Sequence, residues 1–201
     1  MALLWIDGFD SYGTTVGSYA LPSGILGRKY TVGGNSYVQN PRIPGNGRAL
    51  AVSYYLQTPA LTTDPTLIVG FGLALSDTGV TGNIIGLYDG SVRGIYLRYN
   101  GWSGEIEVWR DESGDVLLGT TSGANLRRRI WTYVEVKVYC HDTAGTVEVR
   151  INGTTKLSLS GVDTKANTLT NAYHDRVRLE QTGSFMLWFD DLYICDSAGA
   201  K

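Results

Sequence analysis

Trp131-Thr-Tyr-Val-Glu-Val-Lys-Val-Tyr-Cys140, a turn at Asp142 to Gly145, and then Thr146-Val-Glu-Val-Arg-Ile-Asn-Gly153 decide the architecture of this chain. Val134, Val136, Val138 and Cys140 share one face of the first stretch, with Tyr133, Glu135 and Lys137 on the other. In the second, Val147, Val149 and Ile151 oppose Glu148 and Arg150. A side-chain period of two is that of a strand with one buried face and one wet face. Working outward, the same period recurs at Leu67, Val69, Phe71, Leu73 and Leu75, which alternate with smaller residues. It returns at Ile106 and Val108 against Glu105, Glu107 and Trp109, and at Val177 and Leu179 against Arg176, Arg178 and Glu180. No window of about 11–18 residues keeps a helical apolar stripe, and the best short candidate, Asn125 to Ile130, is one turn.

The punctuation agrees with strands. Asp89-Gly90, Asn100-Gly101 and Asn152-Gly153 each separate strand-like runs, and such pairs supply the positive φ of two-residue hairpin turns. Roughly a dozen strands are expected, at the spacing of sandwiches. The fold class is therefore all-β, a two-sheet antiparallel sandwich. Residues 10–48 differ: they are rich in Gly, Pro, Asn, Ser and Tyr, and read as a long irregular excursion with short strands near Lys29 to Val32 and Tyr37 to Gln39. An excursion of that length is often functional or an interface arm. A single domain over residues 1–201 is expected, since sandwiches of this size occur as one unit.

Charge narrows the partners. Seventeen basic side chains stand against nineteen acidic ones, and Arg127 to Arg129 is the one basic cluster, so nucleic acid is not expected. No apolar run reaches membrane-spanning length. The opening residues lack the basic start and apolar length of a secretory signal, so the chain is expected to be made in a host cytoplasm without export. Cys140 falls on the valine face and reads as a small buried apolar group; pairing with Cys195 is conceivable but unneeded. His141 and His174 lack ligand spacing, and no metal site built on histidine or cysteine is expected.

The Trp131–Gly153 hairpin resembles the W-x-x-V-x-V … G-x-V-x-V-x-x-N-G pattern of laminin-G-like and concanavalin A-like domains. The chain ends, Ile6-Asp-Gly-Phe-Asp10 and Trp188-Phe-Asp-Asp-Leu-Tyr-Ile194, resemble that family's first and last strands, which the resemblance places side by side in one sheet of a jelly roll. The same ends look further like concanavalin-like proteins of tailed-bacteriophage virions. That resemblance implies a non-enzymatic virion structural protein, a capsid decoration or a tail or fibre component. Its partners would be other virion proteins and further copies of itself, met through strand edges, the 10–48 arm and outward aromatic rings. The alternative is a lectin or host-receptor module that binds a cell-surface glycan.

Three candidate chemistries remain. Related glucanases carry three carboxylates on one strand; here Glu105 and Glu107 share a face, but Trp109 follows and Asp111 is expected on the opposite face, so the acid is missing and no catalytic residue is assigned. No hydrolase elbow, Walker loop, HExxH or CxxC pair appears. Asp7, Asp10, Asp190 and Asp191, near the joined ends, could cage calcium, but aspartates capping strand ends and bonding turn amides explain them more simply, so no cofactor is expected. Candidate contacts to a glycan or a neighbouring subunit are Tyr96, Trp109, Trp131 and Tyr133, outward by alternation, and Trp102 on a loop.

Overall fold

Fifteen strands and no helix occupy the described residues, which are 1–10, 12, 29–34, 36–39 and 48–197 of the computed structural model. One antiparallel sheet has eight strands. Its order is β13 (Thr154–Val162), β12 (Gly145–Ile151), β11 (Thr132–Tyr139), β6 (Thr66–Leu75), β15 (Leu187–Asp196), β4 (Ala49–Val52) and β3 (Ser36–Gln39), with β1 (Ala2–Asp7) also paired to β15. The other sheet has seven, in the order β10 (Val116–Thr120), β9 (Glu105–Arg110), β8 (Val92–Asn100), β7 (Gly82–Asp89), β14 (Arg176–Glu180), β5 (Tyr55–Gln57) and β2 (Thr31–Gly33). The first and last strands are neighbours: Ala2 faces Asp196 and Asp7 faces Leu192.

The valine faces meet between the sheets. Val134, Val136 and Val138 stand opposite Phe71, Val69 and Leu67 across β11 and β6, and Ile151, Val149 and Val147 across β11 and β12. They join Leu87, Ile95, Leu97, Ile106, Val108, Val177 and Leu179 of the other sheet in one buried cluster. Each such side chain contributes roughly 1.5–3 kcal/mol of apolar transfer on burial. All ten residues of β6 are buried, because the small outward residues of this central strand are covered in turn, Gly70 by the Tyr193 ring. Cys140 is buried as expected, and burial pushes its thiol up to about 12; both cysteines are free.

Of the expected hairpin turns, Asn152-Gly153 takes positive φ at both residues (49° and 77°), the backbone that joins β12 tightly to β13. Asn100-Gly101 departs from expectation. Four residues link β8 to β9, and the positive φ falls on Gly104. The short strands foreseen near Lys29 to Val32 and Tyr37 to Gln39 are β2 and β3. The rest of the 10–48 excursion lies outside the described residues.

Candidate functional site

The outer face of the seven-stranded sheet carries polar and aromatic side chains where a solvated face would be expected. Antiparallel register sets them in rows: Gln57 beside Arg178, Arg178 beside Gly86, Gly86 beside Tyr96, Tyr96 beside Trp109 and Trp109 beside Leu117. A second row places Tyr55 beside Glu180, and Asn83 beside Arg98 beside Glu107. Gly86 makes the arrangement fit. A Cβ there would sit 2.7 Å from Tyr88 Cε2 and 2.9 Å from Glu180 Oε1, so only glycine lets those side chains lie across the strand.

Rings and guanidinium groups alternate along this face. Arg178 lies between the Tyr55 and Tyr88 rings, 4.2 and 4.0 Å from their centroids. Arg93 covers Tyr96 at 4.1 Å, Tyr96 stacks on Trp109 with planes 13° apart, and Arg98 covers Trp109 at 4.2 Å. Planar, weakly hydrated guanidinium suits such stacking far better than ammonium. Carboxylates fix two of the three cations: Asp111 and Glu180 hold Arg93 at 2.7 and 3.2 Å, and Glu107 holds Arg98 at 2.8 Å. Arg178 differs. Its Nε and Nη2 donate to the carboxamide oxygen of Gln57 at 2.9 and 2.6 Å.

The protonation states follow from these contacts. Burial raises the Tyr88 phenol well above its ordinary value, and Glu180, which accepts its proton at 2.5 Å, raises it further. Burial opposes ionisation of Glu107, but Asn100, Trp109 and Arg98 all donate to it and hold it below the usual carboxylate range. Tyr54, Tyr55, Tyr88, Arg93, Arg178, Glu180 and Thr182 line a cavity of about 130 Å³. A cation, a protonated phenol and a carboxylate thus share one opening.

The aromatic residues singled out by alternation divide between the sheets. Tyr96 and Trp109 belong to this layer, but Tyr96 is only 2% exposed beneath Arg93, so it supports the surface and does not form it. Trp102 stands on the turn after β8, 93% exposed. Trp131 precedes β11, and Tyr133 stacks on Tyr193 over the eight-stranded sheet. That sheet has its own cavity of about 460 Å³, lined by Met1, Ile68, Glu135, Lys137, Tyr193 and Cys195 among others. It is the larger, but both its carboxylates are engaged within the chain: Glu135 accepts from Tyr193 at 2.6 Å and Glu148 from Arg150 at 2.8 Å. Tyr55, Tyr88, Arg93 and Arg178 escaped the sequence reading, because Arg178 and Tyr55 join the Tyr88–Arg93 hairpin pair only when β14 inserts between β7 and β5.

The carboxylate candidates have other tasks. Glu105 accepts from the Thr121 hydroxyl and from the Gly123 and Ala124 amides, tying down the loop after β10. Asp111 corrects the expectation that it turns to the opposite face. It keeps the parity of Glu107 and Trp109 and closes on Arg93. Asp7 receives Lys29 Nζ at 2.8 Å, both the Tyr12 and Tyr30 hydroxyls, and the Phe9 amide. Burial resists its charge, but these donors outweigh burial and hold its pKa below the usual carboxylate range. Asp10 accepts from the Arg48 amide, and Asp190 from the Asp191 amide. Among the described residues no three acidic, histidine or cysteine side chains converge as a metal site.

No protein-family model and no curated protein matches the sequence. Solved structures do. An endo-β-1,4-glucuronan lyase from the fungus Trichoderma reesei superposes with a TM-score of 0.60 at 11% identity, over 84% of this chain and 90% of that one. An alginate lyase gives 0.53 at 14% identity, over 96% of each chain. Domain 4 of an extracellular arabinanase from Geobacillus stearothermophilus, in complex with arabinotriose, gives 0.50 at 18% identity, over 81% of this chain and 75% of that one. The chain therefore has the β-sandwich fold shared by glycan-binding domains and polysaccharide lyases. The expectation of a chain that does not catalyse is corrected by these neighbours, two of which are polysaccharide-cleaving enzymes. That expectation rested on a missing third carboxylate. Such a triad serves hydrolysis, whereas elimination from a uronate needs a cation and proton-transferring groups, for which carboxylate spacing is no test.

Proposed function

We propose that this protein binds a carbohydrate chain across the outer face of its seven-stranded sheet. One observation carries the reading: the layer in which Tyr55, Arg178, Tyr88, Arg93, Tyr96, Trp109 and Arg98 alternate ring with guanidinium. Half-buried Trp109 and Tyr55 and exposed Tyr54 offer apolar surface to sugar faces, while the guanidinium groups offer fixed donors to hydroxyls. The neighbours that cleave glucuronan and alginate, and the one solved with arabinotriose, are similar in fold and support a glycan as the class of ligand. A glycan array is expected to show binding. Trp109→Ala is expected to weaken it about tenfold or more, as removal of a central tryptophan commonly does. Equal binding by that variant would move the site elsewhere.

The shared cavity favours a second reading, cleavage of a bound uronate chain. It joins a cation, Arg178, that can steady a uronate carboxylate, a carboxylate, Glu180, that can take the C5 proton, and a phenol, Tyr88, that can give its proton to the departing oxygen. The C5–H and C4–O bonds thus break as the C4–C5 double bond forms. Release of unsaturated uronate, followed by ultraviolet absorbance, tests it. Tyr88→Phe is expected to lower such turnover about a hundredfold or more while the fold is kept. The resemblance of the chain ends further supports placement of this module on a virion, among other virion proteins. Mass spectrometry of purified virions tests that placement, and absence of the chain from them would remove it.

A further inference from the structure

We infer that Arg178 is the seat of a ligand carboxylate, so that the carbohydrate bound on this face is an acidic one; the inference rests on the glycan-binding reading and adds the ligand's charge to it. Arg93 and Arg98 are each neutralised by carboxylates of the chain itself. Arg178, on the same face, has no carboxylate partner among the described residues. Glu180, two residues along its strand, makes no ion pair with it. Its oxygens are taken by the Tyr88 hydroxyl at 2.5 Å, the Arg93 guanidinium at 3.2 Å and the Asn83 carboxamide at 3.3 Å.

The guanidinium is nevertheless held in one orientation. Two tyrosine rings clamp its faces, and Gln57 Oε1 takes the Nε and Nη2 donors. Of the five N–H groups of an arginine, two are used and three remain, enough for the paired bonds by which guanidinium grips carboxylate. A half-buried cation is costly without a directly paired anion, and here its direct contacts are neutral rings and an amide, while Glu180 across the same cavity pairs with Arg93. It borders the 130 Å³ cavity, so a ligand anion has room to reach it. Because the clamp is built before binding, little side-chain freedom is lost when the anion arrives.

The test compares ligands that differ in the carboxylate. A β-1,4-linked oligoglucuronate is paired with a cello-oligosaccharide of equal length, and sialyllactose with lactose; affinities are measured by calorimetry for wild type, Arg178→Gln and Arg178→Lys. Wild type is expected to prefer the acidic member of one pair by roughly 10- to 100-fold, the range of a charge-assisted bond. The pair that shows the preference identifies the source of the carboxylate, a uronate within a chain or a terminal sialic acid. Arg178→Gln should abolish the preference, weakening the acidic member by about that same factor more than the neutral one, and Arg178→Lys should keep part of it. Equal affinity within both pairs, or a preference that survives Arg178→Gln, overturns the assignment and leaves glycan binding standing. Failure of wild type to bind any of the four ligands, together with a silent array, overturns both.

Discussion

Acidification from pH 7 to below pH 4 is expected to remove about 3 kcal/mol of folding stability through a single side chain, His174. The imidazole is 1% exposed, and neither ring nitrogen has a hydrogen-bond partner. Burial therefore holds its pKa down, from the ordinary 6.5 to about 4, with Asp89 opposing. Between those values the unfolded chain binds a proton that the folded chain does not. Stability is complete above about pH 6.5 and falls as pH drops towards 4, by about 1.4 kcal/mol per pH unit. His174→Leu, similar in volume, should flatten that limb of the curve. The remaining acid sensitivity then belongs to groups such as Asp7, whose lowered value confines its loss to more acidic solution. Urea unfolding at pH 7, 5.5 and 4 measures the difference, and a wild-type protein equally stable at all three would contradict the assignment.

The second large effect is steric. Phe71→Ala is expected to cost about 3–5 kcal/mol, the range for emptying a packed aromatic site. Phe71 is fully buried at the centre of β6, stands opposite Val134, and meets Phe189 of β15 with ring centroids 5.7 Å apart. It thus links the two strands that hold the middle of the eight-stranded sheet, neither of which can close on the hole without shifting its partner. The urea midpoint should fall with little change in slope, since the surface exposed on unfolding stays nearly the same. A loss below about 1 kcal/mol would mean that the core relaxes there far more than its register suggests.

These two residues also show what the sequence could reveal. Phe71 was legible because it sits in a run of period two, and burial on one face is written locally as alternation. The Asn152-Gly153 turn was legible for a similar reason, since positive φ at two successive residues selects those residue types. His174 was not. It precedes β14 in a loop with no periodicity, and it packs against Gly94 of β8, distant in the chain.

The site divides in the same way. Trp109 was placed outward by alternation with Ile106 and Val108, and it is outward. Arg178 and Glu180 also alternated correctly, but charged residues on a strand's wet face ordinarily mean water. Nothing local announces that Tyr55 and Tyr88 will flank that arginine, since the contact depends on a strand order, β7-β14-β5, that unites residues 55, 88 and 178. Trp131 and Tyr133 satisfy the same outward rule as Trp109 yet lie with the other sheet. Alternation tells in from out. It does not tell which sheet.

The central claim is that the outer face of the seven-stranded sheet holds the carbohydrate. Amide chemical-shift mapping with the oligosaccharide that binds most tightly on the array tests it most directly. Shifts concentrated on β5, β14, β7, β8 and β9, around Tyr55, Arg178, Tyr88, Arg93 and Trp109, are the predicted result. Shifts confined to β11, β12 and β15 around Tyr193, or no saturable shift with any glycan, would contradict it.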